Sequence, residues 1–311
     1  MLLPPPRIPD TEPTLTTSPC PLASSNGRQA RTVANGPRRL TAKTKSKKSS
    51  SRAEKSACGI TLVLPALLTR MSSRPSIVPI ASARASIARV SCAGARVVVT
   101  FGNDAEAADR LIASLPGAGH RASRTPAQDT RAIESLAAAI GTTEGRLDIL
   151  VNNAGSTRVI PHADLRALDD DFFDFVLAVN LRGPFATVRA CRSMLEASGY
   201  GLVVNVGSVS GVRGGGSNIA YAAAKAGLHT MTMSLARALA PAIRVVAVSP
   251  SLMETPMTEM WTPQQRAQRI ASNPLKRIGQ PEEVAAVILG LATTMTFVNG
   301  TVIPVDGGSL L

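Results

Sequence analysis

The sequence predicts a doubly wound parallel α/β sheet forming a single domain, preceded by a disordered basic extension. Three observations carry that expectation. From about Ser76 onward, short apolar runs alternate with longer amphipathic ones, the spacing expected of strand–helix–strand crossovers. The short runs ARVVVT (95–100), LVVNV (202–206) and IRVVAVSP (243–250) are rich in β-branched residues, as buried strands are. Residues 1–57, in contrast, are rich in Pro, Ser, Thr and basic residues without an apolar period. Such a composition cannot bury enough surface to offset chain entropy.

The boundaries that follow are a basic leader over residues 1–75 and a sheet domain over residues 76–311. Residues 1–70 carry 12 Lys/Arg against 3 Asp/Glu, which accounts for +9 of the net charge of +13. The basic character therefore belongs mainly to the leader and is no argument for nucleic-acid binding by the domain. The leader is either a targeting segment, being basic, Ser-rich and poor in acids, or an extension without function, with Met71 as an alternative start. A cytoplasmic location follows, or an organellar one if the leader directs targeting. The apolar run Gly59–Leu68 contains Pro65 and falls far short of the ~20 residues of a spanning helix. Its distance from the amino terminus also argues against a signal-peptide core. Four cysteines, Cys20, Cys58, Cys92 and Cys191, show no metal or redox spacing and are expected as free thiols. No metal site is expected.

Within the domain the elements are expected in this order. ARVVVT is a strand, and DAEAADRLIASL (104–115) a helix stopped by PGAG. RAIESLAAAIGTTEG (131–145) is a helix with a glycine exit, and LDILVNNAG (147–155) a strand running into a turn. The stretch 168–199 is one long helix opened by acids, as the helix dipole prefers. LVVNV, a helix around Tyr221 and IRVVAVSP follow. PEEVAAVILGLAT (281–293) is a helix begun by Pro281, and GTVIPVDGG (300–308) ends in a short strand.

The candidate chemistry lies in SVSGVRGGGSNIAYAAAK, residues 208–225. Tyr221 and Lys225 are four apart in a run of good helix formers, hence one turn apart on one face. An ammonium beside a phenol favours the phenolate and lowers the tyrosine pKa, which makes it a usable general acid or base. The strand LVVNV delivers Ser208 to a carboxyl-terminal strand end, where α/β proteins build their sites.

LVNNAG (150–155), VNLRGPF around Asn180, Ser208, Tyr221-x-x-x-Lys225 and the closing VDGG together resemble the short-chain dehydrogenase/reductase family, a Rossmann-like fold, and within it the 3-oxoacyl carrier-protein reductases. The resemblance covers roughly Val97 to the end. It implies an NAD(P)-dependent oxidoreductase interconverting a ketone and a secondary alcohol, with 3-oxoacyl thioesters among the candidate substrates. It further implies that Tyr221 exchanges the proton, Ser208 orients the carbonyl, Lys225 holds the nicotinamide ribose, and Asn180 holds a relaying water. Asn180 has a structural alternative, the capping of a helix kink. Thr100, Asn152, Asn153, Gly155, Tyr221, Lys225, Pro250 and Ser251 are the implied cofactor-lining positions. A homodimer or homotetramer is implied through the helices about 169–198 and 219–239.

Two departures from the family stand out. The phosphate-binding glycines are absent: Ser86-Ile87-Ala88-Arg89 stands where the family has Gly-Ile-Gly-Arg, behind a presumed first strand that contains Pro79. Ser251 stands where the family's Pro-Gly turn has glycine. A catalytically silent relative is therefore the alternative reading. No carboxylate stands at the selecting position after ARVVV to accept the ribose 2′-hydroxyl of NAD, Asp104 further on being expected as a helix cap, and Arg84 and Arg89 are the nearest candidate cations, so NADP(H) is expected over NAD(H). Leu252–Ala271 is expected as a mobile lid, with Met253, Met257, Met260 and Trp261 as an apolar lining for an acyl chain or as packing for the lid itself.

Overall fold

The computed structural model describes residues 61–65, 95–255, 258 and 261–311, all within one compact unit spanning 52–311. Seven parallel strands form one sheet: β1 Thr61–Pro65, β2 Arg96–Phe101, β3 Arg121–Arg124, β4 Ile149–Asn152, β5 Gly201–Val206, β6 Ile243–Pro250 and β7 Val302–Val305. Their order is β3-β2-β1-β4-β5-β6-β7, so the direction of winding reverses between β1 and β4. The carboxyl ends beside such a reversal are where doubly wound sheets bind ligands.

The helices are α1 Ala105–Ala113, α2 Thr130–Glu144, α3 Asp170–Leu177, α4 Gly183–Ala197, α5 Ser210–Arg213, α6 Ile219–Leu239, α7 Pro263–Ser272 and α8 Pro281–Thr293. Alternation along the strands splits the core into two layers. Val97, Val99, Val204 and Val248 pack with Leu111 of α1 and Ile288 of α8. Val98, Leu150, Val203 and Val245 pack on the opposite face with Ile140 of α2, Leu195 of α4 and Leu239 of α6. Burial on both faces is why these strands are almost wholly apolar. Local signals close the helices as their chemistry requires. Asp104 and Asp129 cap α1 and α2 through Ala107 N–H and Ala132 N–H at 2.9 and 3.1 Å. Gly145 ends α2 at φ 68°, a left-handed conformation that glycine adopts without strain.

Two expectations are corrected, and one strand is added. The first strand does not lie beside the second in sequence. Thr61–Pro65, taken from the upstream run 59–68, forms β1 and pairs with both β2 and β4. The sheet therefore begins upstream of residue 76, and an interior strand, between β2 and β4, precedes Met71. Pro65 is the last residue of β1, at the end of the strand, where a missing ladder donor costs least. The long helix expected over 168–199 is divided: α3 and α4 are joined by a π-helical turn, Ala178–Arg182. Strand β3, RASR, was not anticipated at all, because a polar edge strand lacks an apolar signature. Pro79, Arg84, Ser86, Ala88, Arg89, Met257 and Met260 lie outside the described residues. Met253 is buried against Gly279 and the core, which places it in the body of the domain rather than on a lid surface. Cys191 is a free, buried thiol whose pKa burial pushes up to about 12.

Candidate active site

The site lies at the carboxyl ends of β4, β5 and β6. Beyond β5 the chain turns at Gly207, whose N–H donates to Val248 O at 2.8 Å. Ser208 follows, its Oγ accepting from Ser210 N–H at 3.1 Å. Val209 N–H then donates to Pro250 O at 3.1 Å, so β6 fixes the loop that carries Ser208. Gly207 is dictated by packing, since a Cβ there would overlap His229 Nε2.

Helix α6 brings the other two groups. Asn218 caps it, accepting from Tyr221 N–H at 2.8 Å, while its Nδ2 donates to Thr157 Oγ1 at 2.9 Å and Arg158 O at 2.8 Å. One amide therefore joins the first turn of α6 to the loop after β4. The Ser208 hydroxyl is close enough to the Tyr221 phenol to lower its pKa. Lys225 is 1% exposed, its Nζ donating to Val206 O at 2.8 Å and lying 5.6 Å from the Tyr221 ring centroid.

The electrostatics revise the simple expectation of a lowered tyrosine pKa. Burial is the largest influence and raises the Tyr221 pKa, with the Ser208 hydrogen bond opposing it. Burial also pushes Lys225 down to about 8. His229, one turn beyond Lys225, is lowered by burial and then by the lysine charge, and its Nε2 lies 3.4 Å from Ser249 Oγ.

Asn180 is fully buried within the π-helical turn. Its Nδ2 donates to Ser156 O and Val176 O, both at 2.9 Å, and its Oδ1 accepts from Ser156 N–H at 3.3 Å. Val176 is one helical turn back, so the side chain does satisfy a helix carbonyl beside the widened turn. Gly155 brings Asn180 and Lys225 near one another: a Cβ at Gly155 would lie 3.0 Å from Asn180 Oδ1 and 3.8 Å from Lys225 Nζ.

The cofactor positions are spread more widely. Asn153 and Gly155 lie beyond the end of β4, both buried. Asn152 points into the protein: its Nδ2 donates to Asn205 Oδ1 at 2.9 Å, and Asn205 Nδ2 donates to Thr232 Oγ1 at 2.9 Å. This ladder across β4, β5 and α6 holds the sheet against the helix carrying Lys225. Thr100 is 3% exposed and lines a small internal cavity with Leu150 and Asn152. Pro250 ends β6, and Ser251 ties it to the end of β7 through its N–H to Val305 O and its Oγ to Asp306 O, both at 3.2 Å. Arg124, overlooked in the sequence, ends β3 opposite Phe101 and donates from Nε to Gly102 O at 3.1 Å.

A serine, a tyrosine and a lysine thus converge at the carboxyl edge of a parallel sheet, beside its winding reversal. The family model described as Enoyl-(Acyl carrier protein) reductase matches residues 80–309. A ketoacyl reductase of the granaticin polyketide synthase from Streptomyces violaceoruber is 41% identical over 227 residues, 72% of this chain and 89% of that protein. The 3-oxoacyl-(acyl-carrier-protein) reductase of Thermotoga maritima is 43% identical over 169 residues, 54% of this chain and 68% of that protein. Among solved structures, a short-chain dehydrogenase/reductase from Burkholderia xenovorans aligns with a TM-score of 0.69 at 31% identity, covering 81% of this chain and 98% of that one. The chain belongs to the short-chain dehydrogenase/reductase family of oxidoreductases. The comparisons give no support to a catalytically silent relative. No helix among the described residues is long and apolar enough to cross a membrane.

Proposed function

We propose that the protein is a nicotinamide-dependent reductase of ketones, acting reversibly on secondary alcohols, with 3-oxoacyl thioesters as a substrate class. The observation that carries this reading is the convergence of Ser208, Tyr221 and Lys225, the serine hydroxyl acting on the phenol's pKa and the lysine Nζ 5.6 Å from the phenol ring centroid. The curated ketoacyl reductases supply the substrate class.

In the reductive direction Tyr221 donates its Oη proton to the substrate carbonyl oxygen. Ser208 donates a hydrogen bond to that oxygen and fixes its direction. Lys225, as the ammonium, stabilises the phenolate that Tyr221 becomes. A nicotinamide, when bound, supplies the hydride that reaches the carbonyl carbon.

The residues present fit such a cofactor. An ammonium has three donors, and Lys225 uses one of them, on Val206 O, among the described residues. Gly155 leaves open the space that a side chain would take beside Nζ, so ribose hydroxyls have both room and donors there. Asn153, Pro250 and Ser251 would border the cofactor. Asn152 and Thr100 would act beneath it, by holding the sheet. Asn180 would act through its hold on Ser156, with a relayed water as the further role.

NADP(H) is the preferred cofactor in this reading. No carboxylate follows β2 before Asp104, which is occupied as the α1 cap, and the Arg124 guanidinium stands beside Gly102. Self-association through α3, α4 and α6 is part of the proposal, because Phe185 and Met233 on those helices are 42% and 38% exposed. Light scattering at micromolar concentration should give a multiple of the chain mass, and a monomer would contradict it.

The direct test of function is NADPH consumption with an acetoacetyl thioester and a panel of simple ketones. A thermal-shift titration with NADPH belongs beside it, since a ligand of the native state alone raises the melting temperature. Stabilisation and turnover would support the proposal. Absence of both would contradict it.

A further inference from the structure

The reductase reading leaves the remote end of the substrate undefined. A cleft of about 600 Å³ opens beside Ser208 and extends past Ser251 toward α7. Among the described residues no Asp or Glu side chain lines it, whereas Arg213, Arg269 and Arg277 all do. Their partners differ. Arg277 is committed to Glu283, with its two terminal nitrogens 2.7 and 2.6 Å from the carboxylate oxygens. The Arg213 side chain has no hydrogen bond or ion pair among the described residues, and the Arg269 guanidinium lies 5.8 Å from the Trp261 ring centroid with no carboxylate partner among them.

Two nearby carboxylates of the described residues are also occupied. Glu254 is gripped by both terminal nitrogens of Arg266. Asp306 accepts from Gly308 N–H at 3.0 Å and Leu310 N–H at 2.9 Å. Arg213 and Arg269 therefore have no carboxylate side-chain partner among the described residues, and cations lining a concave wall concentrate their field on whatever enters. Arg213 ends α5, the four-residue helix that Ser208 helps to start by accepting from Ser210 N–H. The carbonyl-orienting group and one cation thus belong to the same short segment.

We propose that Arg213 and Arg269 form an anion subsite, and that the substrate is a ketone or secondary alcohol bearing a carboxylate or phosphate away from the reacting carbon. Guanidinium forks suit both anions through paired hydrogen bonds. The proposal rests on the reductase reading for the position of the reacting carbon. The subsite itself is testable without turnover.

Two substrate pairs distinguish the anions. For the carboxylate the pair is 4-oxopentanoate and 4-oxopentanamide, and for the phosphate it is acetoacetyl-pantetheine 4′-phosphate and acetoacetyl-pantetheine. In at least one pair the anionic member should be preferred in kcat/KM by about tenfold or more, the scale of a charge-assisted hydrogen bond. That preference should shrink with salt. The double variant Arg213→Gln, Arg269→Gln should erase it, and Arg192→Gln, on an arginine paired with Glu196 on α4, should retain it. The pair that shows the effect identifies the anion. Calorimetric binding of the same four compounds to the full chain gives a readout independent of catalysis, with the same ranking and the same loss expected. Equal handling of both members in both pairs, or a preference that survives the double variant, would overturn the subsite. Turnover of the neutral ketones in that case would leave the reductase reading standing.

Discussion

Lys225 Nζ donates to the backbone carbonyl of Val206 at 2.8 Å, and that bond fastens α6 to the last residue of β5, two positions before Ser208. A lysine on a helix thus sets the distance between the tyrosine of its own helix and the serine of the neighbouring strand end. Burial makes the charged form costly, and the lysine pKa falls to about 8.

Reduction should therefore lose rate as pH rises through about 8. Below that value Lys225 is cationic and stabilises the Tyr221 phenolate. Above it the cation is gone, and burial holds the tyrosine proton more tightly. A pH profile of kcat/KM should bend near that value, and Lys225→Met should lower the rate throughout and lose the bend. Stability gives a second readout. In the unfolded chain the lysine keeps its proton to about 10.4. Between about 8 and 10 the folded protein binds fewer protons, so this group makes stability rise with pH. The cofactor-free protein should show that contribution, and Lys225→Met should lack it.

Asn180→Ala should destabilise the protein by about 1–3 kcal/mol, the cost of leaving buried polar groups unpaired. Ser156 N–H, Ser156 O and Val176 O all lose their amide partner. Urea denaturation measures this. A variant as stable as the parent, yet inactive, would give Asn180 a purely chemical role.

A chain begun at Met71 lacks β1, the strand between β2 and β4. It should show no cooperative melt, whereas the full chain should. Equal melting temperatures for the two chains would mean that another segment fills the middle of the sheet.

Much of this was legible from the chain alone. The strands β2, β5 and β6 announce themselves because burial on both faces makes them continuously apolar. Tyr221 and Lys225 were legible because a four-residue spacing on a helix is a local fact. The strand supplying Ser208 was equally plain. Contacts that depend on strand register were not legible. Nothing in LVNNAG shows that Asn152 faces Asn205, because the β4–β5 pairing decides it. Asn218 carried a signal that went unused, a cap residue three positions before Tyr221. The position of β1 was missed because the family order suggested a strand immediately before ARVVVT, while the paired segment lies upstream in a run that also has the composition of a short apolar leader segment.

In the proposed reading Arg124, beside Gly102, is the cation that would meet a 2′-phosphate. Arg124→Glu puts a carboxylate beside Gly102, where it repels a 2′-phosphate. Paired titrations should show NADPH binding weakened by about tenfold or more relative to NADH, from the loss of one charge-assisted contact. An unchanged ratio would remove Arg124 from cofactor selection.

The most direct measurement of Tyr221 as the proton donor is turnover by Tyr221→Phe alongside its NADPH affinity. Phenylalanine keeps the ring near Lys225 and removes only the hydroxyl on which Ser208 acts. Ketone reduction should fall by at least about 100-fold, the lower range of a general acid's contribution, while NADPH binding changes little. A variant that reduces ketones at close to the parent rate would contradict that role for Tyr221.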